Sequence, residues 1–236
     1  ICSVSYAQHT QMGFLNGDVL YEREPRAFYF SDDGNDYNTG EINSTWLTVN
    51  RLYFIDLIPG DTIRFRGGDT LNGHCIFNNL NIQDTSKKIV FNSYGSGKAY
   101  IRPDSTSNYC FSFNYQNILK IEFSNLIFMG NYNPLTQLGG LTNYYAINIT
   151  NINSTSVDLV SDSMKIEIDS CEFTKFVTAG AVFQHTTFWA TPLYLKRTGI
   201  FRLTNNQFYN LGGNGFLGSG INNWDSYIYN NSITSI

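Results

Sequence analysis

Short runs in the second half of the chain alternate apolar and polar residues, and the runs resemble one another. They read Ile121-Glu-Phe-Ser-Asn-Leu-Ile-Phe128, Ile166-Glu-Ile-Asp-Ser-Cys-Glu-Phe173, Phe201-Arg-Leu-Thr-Asn-Asn-Gln-Phe208 and, more loosely, Ser226-Tyr-Ile-Tyr-Asn-Asn-Ser-Ile233. Alternation at the start of each copy predicts a strand with one buried face. A polar residue follows (Asn125, Ser170, Asn205), then a variable position (Leu126, Cys171, Asn206, Asn231), then a closing apolar residue. The pattern reads as strand, tight bend, short strand. Asn suits the bend because it tolerates left-handed backbone angles and bonds locally.

A second motif follows each of three copies: Tyr145-Ala-Ile-Asn-Ile149, Ala179-Gly-Ala-Val-Phe183 and Asn214-Gly-Phe-Leu-Gly218. The first is reached through a longer loop, from Met129 to Asn143. Each copy is therefore one coil with at least two strands. The copies begin at 121, 166, 201 and 226, so the strands keep their length while the loops shorten. Loop insertions are cheap in a stacked repeat. Stacking predicts inward columns Ile121/Ile166/Phe201 and Phe123/Ile168/Leu203/Ile228, and an amide ladder between Asn206 and Asn231. A chain stacked in parallel on itself is a parallel β-helix, so an all-β solenoid is expected.

Composition narrows the class. The chain has 236 residues, 16% aromatic and only 14% charged, with 42% hydrophobic residues. Many β-formers with little charge suit a secreted all-β protein, and this apolar content excludes a disordered chain. The formal charge of −4 argues against a nucleic-acid partner. No apolar run is long enough to span a membrane, and a monomer is expected.

Residues 1–7, ending in Ser5-Tyr6-Ala7, read as the remnant of a signal peptide. Residues 8–27 read as an N-terminal extension, 28–60 as an N-terminal strand and capping helix, and 61–236 as coils. The text stops inside a coil at Ile236 without a polar cap, so a C-terminally truncated chain is expected. Beyond the remnant three cysteines remain, Cys75, Cys110 and Cys171, with no metal-binding spacing.

The most specific text lies at Phe28 to Arg102. Phe28-Tyr-Phe begins a strand, and Asp33-Gly-Asn-Asp36 leads through Thr39-Gly40 to Asn43-Ser-Thr-Trp-Leu-Thr-Val-Asn-Arg-Leu52, which reads as a short helix capped by Ser or Asn. Pro59-Gly-Asp-Thr-Ile63 turns into an alternating strand. Gly67 to Gly73 reads as a turn. Ser93-Tyr-Gly-Ser-Gly-Lys-Ala99 is a glycine bend between two strands. This succession resembles the opening of secreted pectate-lyase-like proteins. The resemblance implies a right-handed single-stranded parallel β-helix with an N-terminal capping helix. It also implies an extracellular, periplasmic or cell-surface location and a polysaccharide as partner. It brings calcium into consideration as a cofactor.

Chemistry is carried by one outward column, Glu122, Glu167, Arg202 and Tyr227, each between two inward residues. Two carboxylates, an arginine and an aromatic at about 4.8 Å per coil form a mixture that holds sugars, and Arg pairs with a uronate carboxylate. Adjacency of Glu122 and Glu167 would raise the pKa of one and suit it to donate a proton. A solvated strand face would show the same residues. Asp32, Asp33, Asn35 and Asp36 are dense in oxygen ligands, but they lack the spacing of a calcium loop and read as a turn. Arg64 and Arg66 read as solvated, and His185 as a loop or packed histidine. Lys196 and Arg197 join Arg202 as candidate bases, with nothing in their spacing to select one. Gly73-His74-Cys75 breaks the Gly-His-Gly pattern of the hydrolase branch. The expected function is polysaccharide degradation by β-elimination on uronic acids. The alternatives are glycoside hydrolysis on the same fold and a non-catalytic carbohydrate-binding or adhesin protein. A phage tailspike fits less well, given the signal remnant.

Overall fold

The computed structural model describes residues 23–78, 80, 86–105, 107–114, 119–131, 145–150, 164–176, 179–184, 200–211, 214–219 and 225–234. The signal remnant, most of the extension, most of the Met129–Asn143 loop, His185, Lys196 and Arg197 lie outside them.

Among the described residues eighteen strands form three parallel sheets, visited in rotation. The first sheet holds β1 (Ala27–Phe30), β2 (Thr62–Arg66), β5 (Ile89–Tyr94), β8 (Leu119–Ser124), β11 (Met164–Asp169), β14 (Ile200–Thr204) and β17 (Asp225–Tyr229). The second holds β3 (Thr70–Asn72), β6 (Ala99–Arg102), β9 (Leu126–Met129), β12 (Glu172–Thr174), β15 (Gln207–Tyr209) and β18 (Ser232–Thr234). The third holds β4 (Cys75–Asn78), β7 (Tyr109–Asn114), β10 (Tyr145–Thr150), β13 (Ala179–Gln184) and β16 (Asn214–Ser219). From β2 onward each rung contributes one strand to each sheet in turn, and each strand pairs with the strand three places later. A rung thus has three strands, in keeping with the expectation of at least two. Thr70–Asn72, expected as part of a turn, is one of them.

The predicted columns are present. Ile121 pairs with Ile166 and then Phe201, while Phe123, Ile168, Leu203 and Ile228 stack in register. In the second sheet Phe128, Phe173 and Phe208 stack face to face, with centroids 5.1 and 4.9 Å apart, within the range where aromatic pairs attract. Phe111 of the third sheet meets Phe123 of the first and Phe128 of the second, and Phe123 meets Phe128. The three sheets therefore enclose one core.

The bend between the first and second sheets is left-handed in four successive rungs. Asn125, Ser170, Asn205 and Asn230 have φ of 56, 54, 58 and 55°. Asn tolerates this region at little cost, whereas most side chains collide with the following carbonyl. Directly after the bend, Asn206 is buried. Its Oδ1 accepts from the Cys171 amide at 2.9 Å, and its Nδ2 donates to the Ile168 carbonyl at 2.9 Å and to Asn231 Oδ1 at 3.0 Å. Asn231 Oδ1 accepts in turn from the Asn206 amide at 2.9 Å. The amide ladder ties three rungs together.

The capping helix is corrected. Among the described residues the helical segment is a 3-10 turn at Val49–Phe54, without a side-chain cap at Thr48. Before it, Glu41 and Ser44 bridge across a turn, and Thr48 is extended. Trp46 bridges Phe30 in parallel, its amide donates to the Tyr29 carbonyl at 2.9 Å, and its ring stacks on Phe28. Its indole N–H donates to the Asn38 carbonyl at 2.7 Å. Burial of the indole against β1 holds this segment flat and overrides the capping potential of Asn43 and Ser44.

Cys75, Cys110 and Cys171 are free and buried. Burial pushes all three thiols upward, Cys171 to about 12. No described helix is long and apolar enough to cross a membrane.

Candidate functional site

The outward column follows the register of the first sheet: Val90, Glu122, Glu167, Arg202 and Tyr227 lie side by side on successive strands. Alternation sets this, since Ile121 and Phe123 must point inward. Two further cations converge on the column. Lys88, just before β5, bonds Glu122 and reaches Glu167 Oε2 at 2.9 Å. Lys165 approaches the same oxygen at 3.1 Å, and Arg202 Nη1 donates to Glu167 Oε1 at 2.8 Å.

Glu167 is thus a hub. Its side chain is only 11% exposed, and burial alone would raise its pKa. Hydrogen bonds and charge from Lys88, Lys165 and Arg202 outweigh the burial and hold the carboxyl below its ordinary value. The expectation of a raised, proton-donating carboxyl is reversed for Glu167. Burial works against the charge on Lys88 too, yet Glu122 and Glu167 raise its pKa and keep it protonated. It is therefore not a free base.

The open end of the column is different. Arg202 lies over the Tyr227 ring at 5.3 Å, a favourable cation–π geometry. Tyr227 and Tyr229 share the outer face of β17, the last described strand of the sheet, where inward-facing Ile228 is exposed as well. Two residues along a strand separates them by about 6.6 Å. In the neighbouring column Asp169 accepts from Thr204 Oγ1, from Asn205 Nδ2 at 2.8 Å and from Ser170 Oγ at 2.9 Å. Burial opposes its charge, but these donors lower its pKa. Around the hub the face carries Lys88, Lys120, Lys165 and Arg202 beside Glu122, Glu167 and Asp169, and Asp225 enters the register next to Ile200. The whole chain has a formal charge of −4.

Lys88 and Lys165 escaped the sequence reading, although a signal was present. A lysine directly precedes Ile89, Ile121 and Ile166, the first inward residue of three successive strands.

The other candidates resolve differently. Asp32, Asp33 and Asp69 converge on Arg66, at 2.8, 2.9 and 2.7 Å. Arg66 is thus an ion-pair hub at a partly solvent-exposed position. Asp36 accepts from the amides of Leu47 and Thr48 and from the Thr48 hydroxyl. With its carboxylates already turned to a guanidinium and to backbone, the acidic loop does not fit a calcium ion. No group of three or more metal-binding side chains occurs among the described residues. Arg64 has its Nε buried without a partner.

No protein-family profile and no curated protein sequence matches the chain. Among solved structures it is similar to a rhamnogalacturonan lyase, at 12% identity and a TM-score of 0.41, covering 83% of this chain and 63% of that one. It is also similar to a GH136 lacto-N-biosidase from Eubacterium ramulus, at 11% identity and a TM-score of 0.36, covering 82% and 55%. The chain thus spans less than two thirds of either protein.

Proposed function

We propose that this chain is a secreted polysaccharide-acting protein built as a right-handed, single-stranded parallel β-helix. We place its polysaccharide on the outer face of the first sheet. Rotation through three parallel sheets supports the helix, and parallel connections are right-handed in about 98% of cases. The ligand reading rests on one observation: a ladder of Lys88, Lys165 and Arg202 around Glu122 and Glu167, ending in Arg202 stacked on Tyr227. Sugar rings pack their C–H faces on aromatics, and a guanidinium pairs with a uronate carboxylate.

β-Elimination is preferred over hydrolysis. Hydrolysis needs a protonated carboxyl beside the scissile oxygen, and Glu167 is held ionised. A second reading, binding without turnover, is favoured by Lys88 and Glu167 being locked in mutual ion pairs.

Incubation with pectate, alginate and glycosaminoglycans separates these readings. Absorbance of unsaturated uronide supports the lyase. Retention in polysaccharide gels without product supports the binding protein. Arg202→Ala and Tyr227→Ala should each weaken retention about tenfold, the equivalent of one charge-assisted contact. Unchanged retention in both variants would remove the first-sheet face from the reading.

A further inference from the structure

A histidine at the start of the third sheet is held more firmly than its exposure requires. His74 directly precedes β4. Its Nδ1 lies 2.7 Å from Asp104 Oδ2. A carboxylate only accepts, so Nδ1 carries the proton, and Nε2 is the ring nitrogen left to exchange one. The His74 amide donates to Asn50 Oδ1 at 2.9 Å. Gly73 makes that approach possible: at φ 121°, a Cβ would lie 2.5 Å from the same oxygen. The Tyr53 ring meets the imidazole edge-on, 5.6 Å away at 84°. Carboxylate, backbone and ring together fix the orientation of a side chain that remains 22% open to solvent.

The surroundings suit a sugar. Tyr53 is 43% and Phe54 77% exposed on the same 3-10 turn, with Arg51 lying over Phe54 at 5.3 Å. Burial, with Cys75, Tyr109 and Asp104 nearby, pushes the Tyr53 hydroxyl up to about 12, so it stays a proton donor at neutral pH.

We infer that His74 is the general base, and Asp104 its positioning residue, of a carbohydrate site on the aromatic shelf of Tyr53 and Phe54, separate from the first-sheet face. The substrate class, a uronic-acid oligosaccharide, rests on the reading above. His74 Nε2 takes the C5 proton, and the C5–H electron pair becomes the C4=C5 double bond. The C4–O bond breaks, and the departing oxygen takes a proton from the Tyr53 hydroxyl or from water. No further reactant is required.

The test uses the full chain with oligogalacturonate and oligomannuronate as probes. Nitrogen-15 NMR of unliganded protein should show the Nδ1–H tautomer at His74, and Asp104→Asn should disturb it. His74 ring signals should shift on saturation, in the wild type and in Arg202→Ala alike. His74→Gln should lower unsaturated-product formation about a hundredfold or more, with unchanged circular dichroism and polymer retention. Ring signals that ignore saturating oligosaccharide overturn the site. Absence of product from wild-type protein overturns the base role, as does a wild-type rate in His74→Gln. Failure of the first-sheet reading looks different: Arg202→Ala and Tyr227→Ala would retain polymer normally, whatever His74 does.

Discussion

Replacing Asn206 with leucine should destabilise the stack by about 1–5 kcal/mol. The side chain is 1% exposed and serves both neighbouring rungs. Leucine keeps the volume and removes every polar atom. The Cys171 amide loses its Oδ1 acceptor, and the Ile168 carbonyl loses its Nδ2 donor. Each buried backbone group left unpaired costs about 1–3 kcal/mol. Burial of the new apolar side chain returns about 1 kcal/mol. The Asn206 amide keeps its own bond to Asn231 Oδ1, so that rung contact is spared. Urea unfolding followed by circular dichroism measures the effect, with the midpoint and slope compared between variants. Gln207→Leu, one residue along and exposed on the outer face, is the control and should stay within about 0.5 kcal/mol. An Asn206→Leu loss as small as the control would refute the reasoning, because the two backbone groups would then have found other partners.

Three further outcomes follow from the geometry. Glu167 has a folded pKa below its ordinary 4.5, so its contribution is full above that value and fades as pH falls through the folded one. The melting-temperature gap between wild type and Glu167→Gln should therefore close on acidification, and a constant gap from neutral pH to about 3 would contradict it. In Gly67→Ala the new Cβ would lie 2.3 Å from the Ser96 carbonyl oxygen and 2.5 Å from that of Gly97; a loss of about 2–3 kcal/mol is expected in denaturant melts, and wild-type stability would show that the bend yields freely. Lys175 is exposed with φ of 61°; glycine there relieves about 1–2 kcal/mol of strain against about 0.5–1 kcal/mol of chain entropy, so Lys175→Gly should raise the melting temperature, and a fall would count against the strain.

Much of the fold was legible because two periodicities coincide. Alternation within a strand fixed which residues face inward, and recurrence between copies fixed which of them stack. The bend was legible at Asn125 and Asn205 through residue chemistry alone. The second sheet was less visible outside the repeat, where Thr70–Asn72 read as part of a turn. That strand has three residues, too few to display alternation. The helix misreading arose because Asn43 to Leu52 has helix-like chemistry, while Trp46 finds a flat aromatic surface on Phe28 and Phe30. Of the candidate site, the column itself was readable from register. Its electrostatics were not, because Lys88 reaches Glu167 across 79 residues of sequence. His74 and Asp104 are 30 residues apart, in rungs whose repeat is too degenerate to align by eye.

The three buried thiols give the stack an internal clock. Cys75 lies in β4, Cys110 in β7 and Cys171 at the bend between β11 and β12, three different levels of one column. A thiol that is both shielded and held protonated reacts with an alkylating reagent only after its own level opens. Repeat stacks couple chiefly through nearest neighbours, so opening can begin at one end and spread. The order in which the three masses shift under pulsed labelling would give the direction in which the column frays. Simultaneous shifts would mark a single cooperative unit. No label or probe need be engineered in.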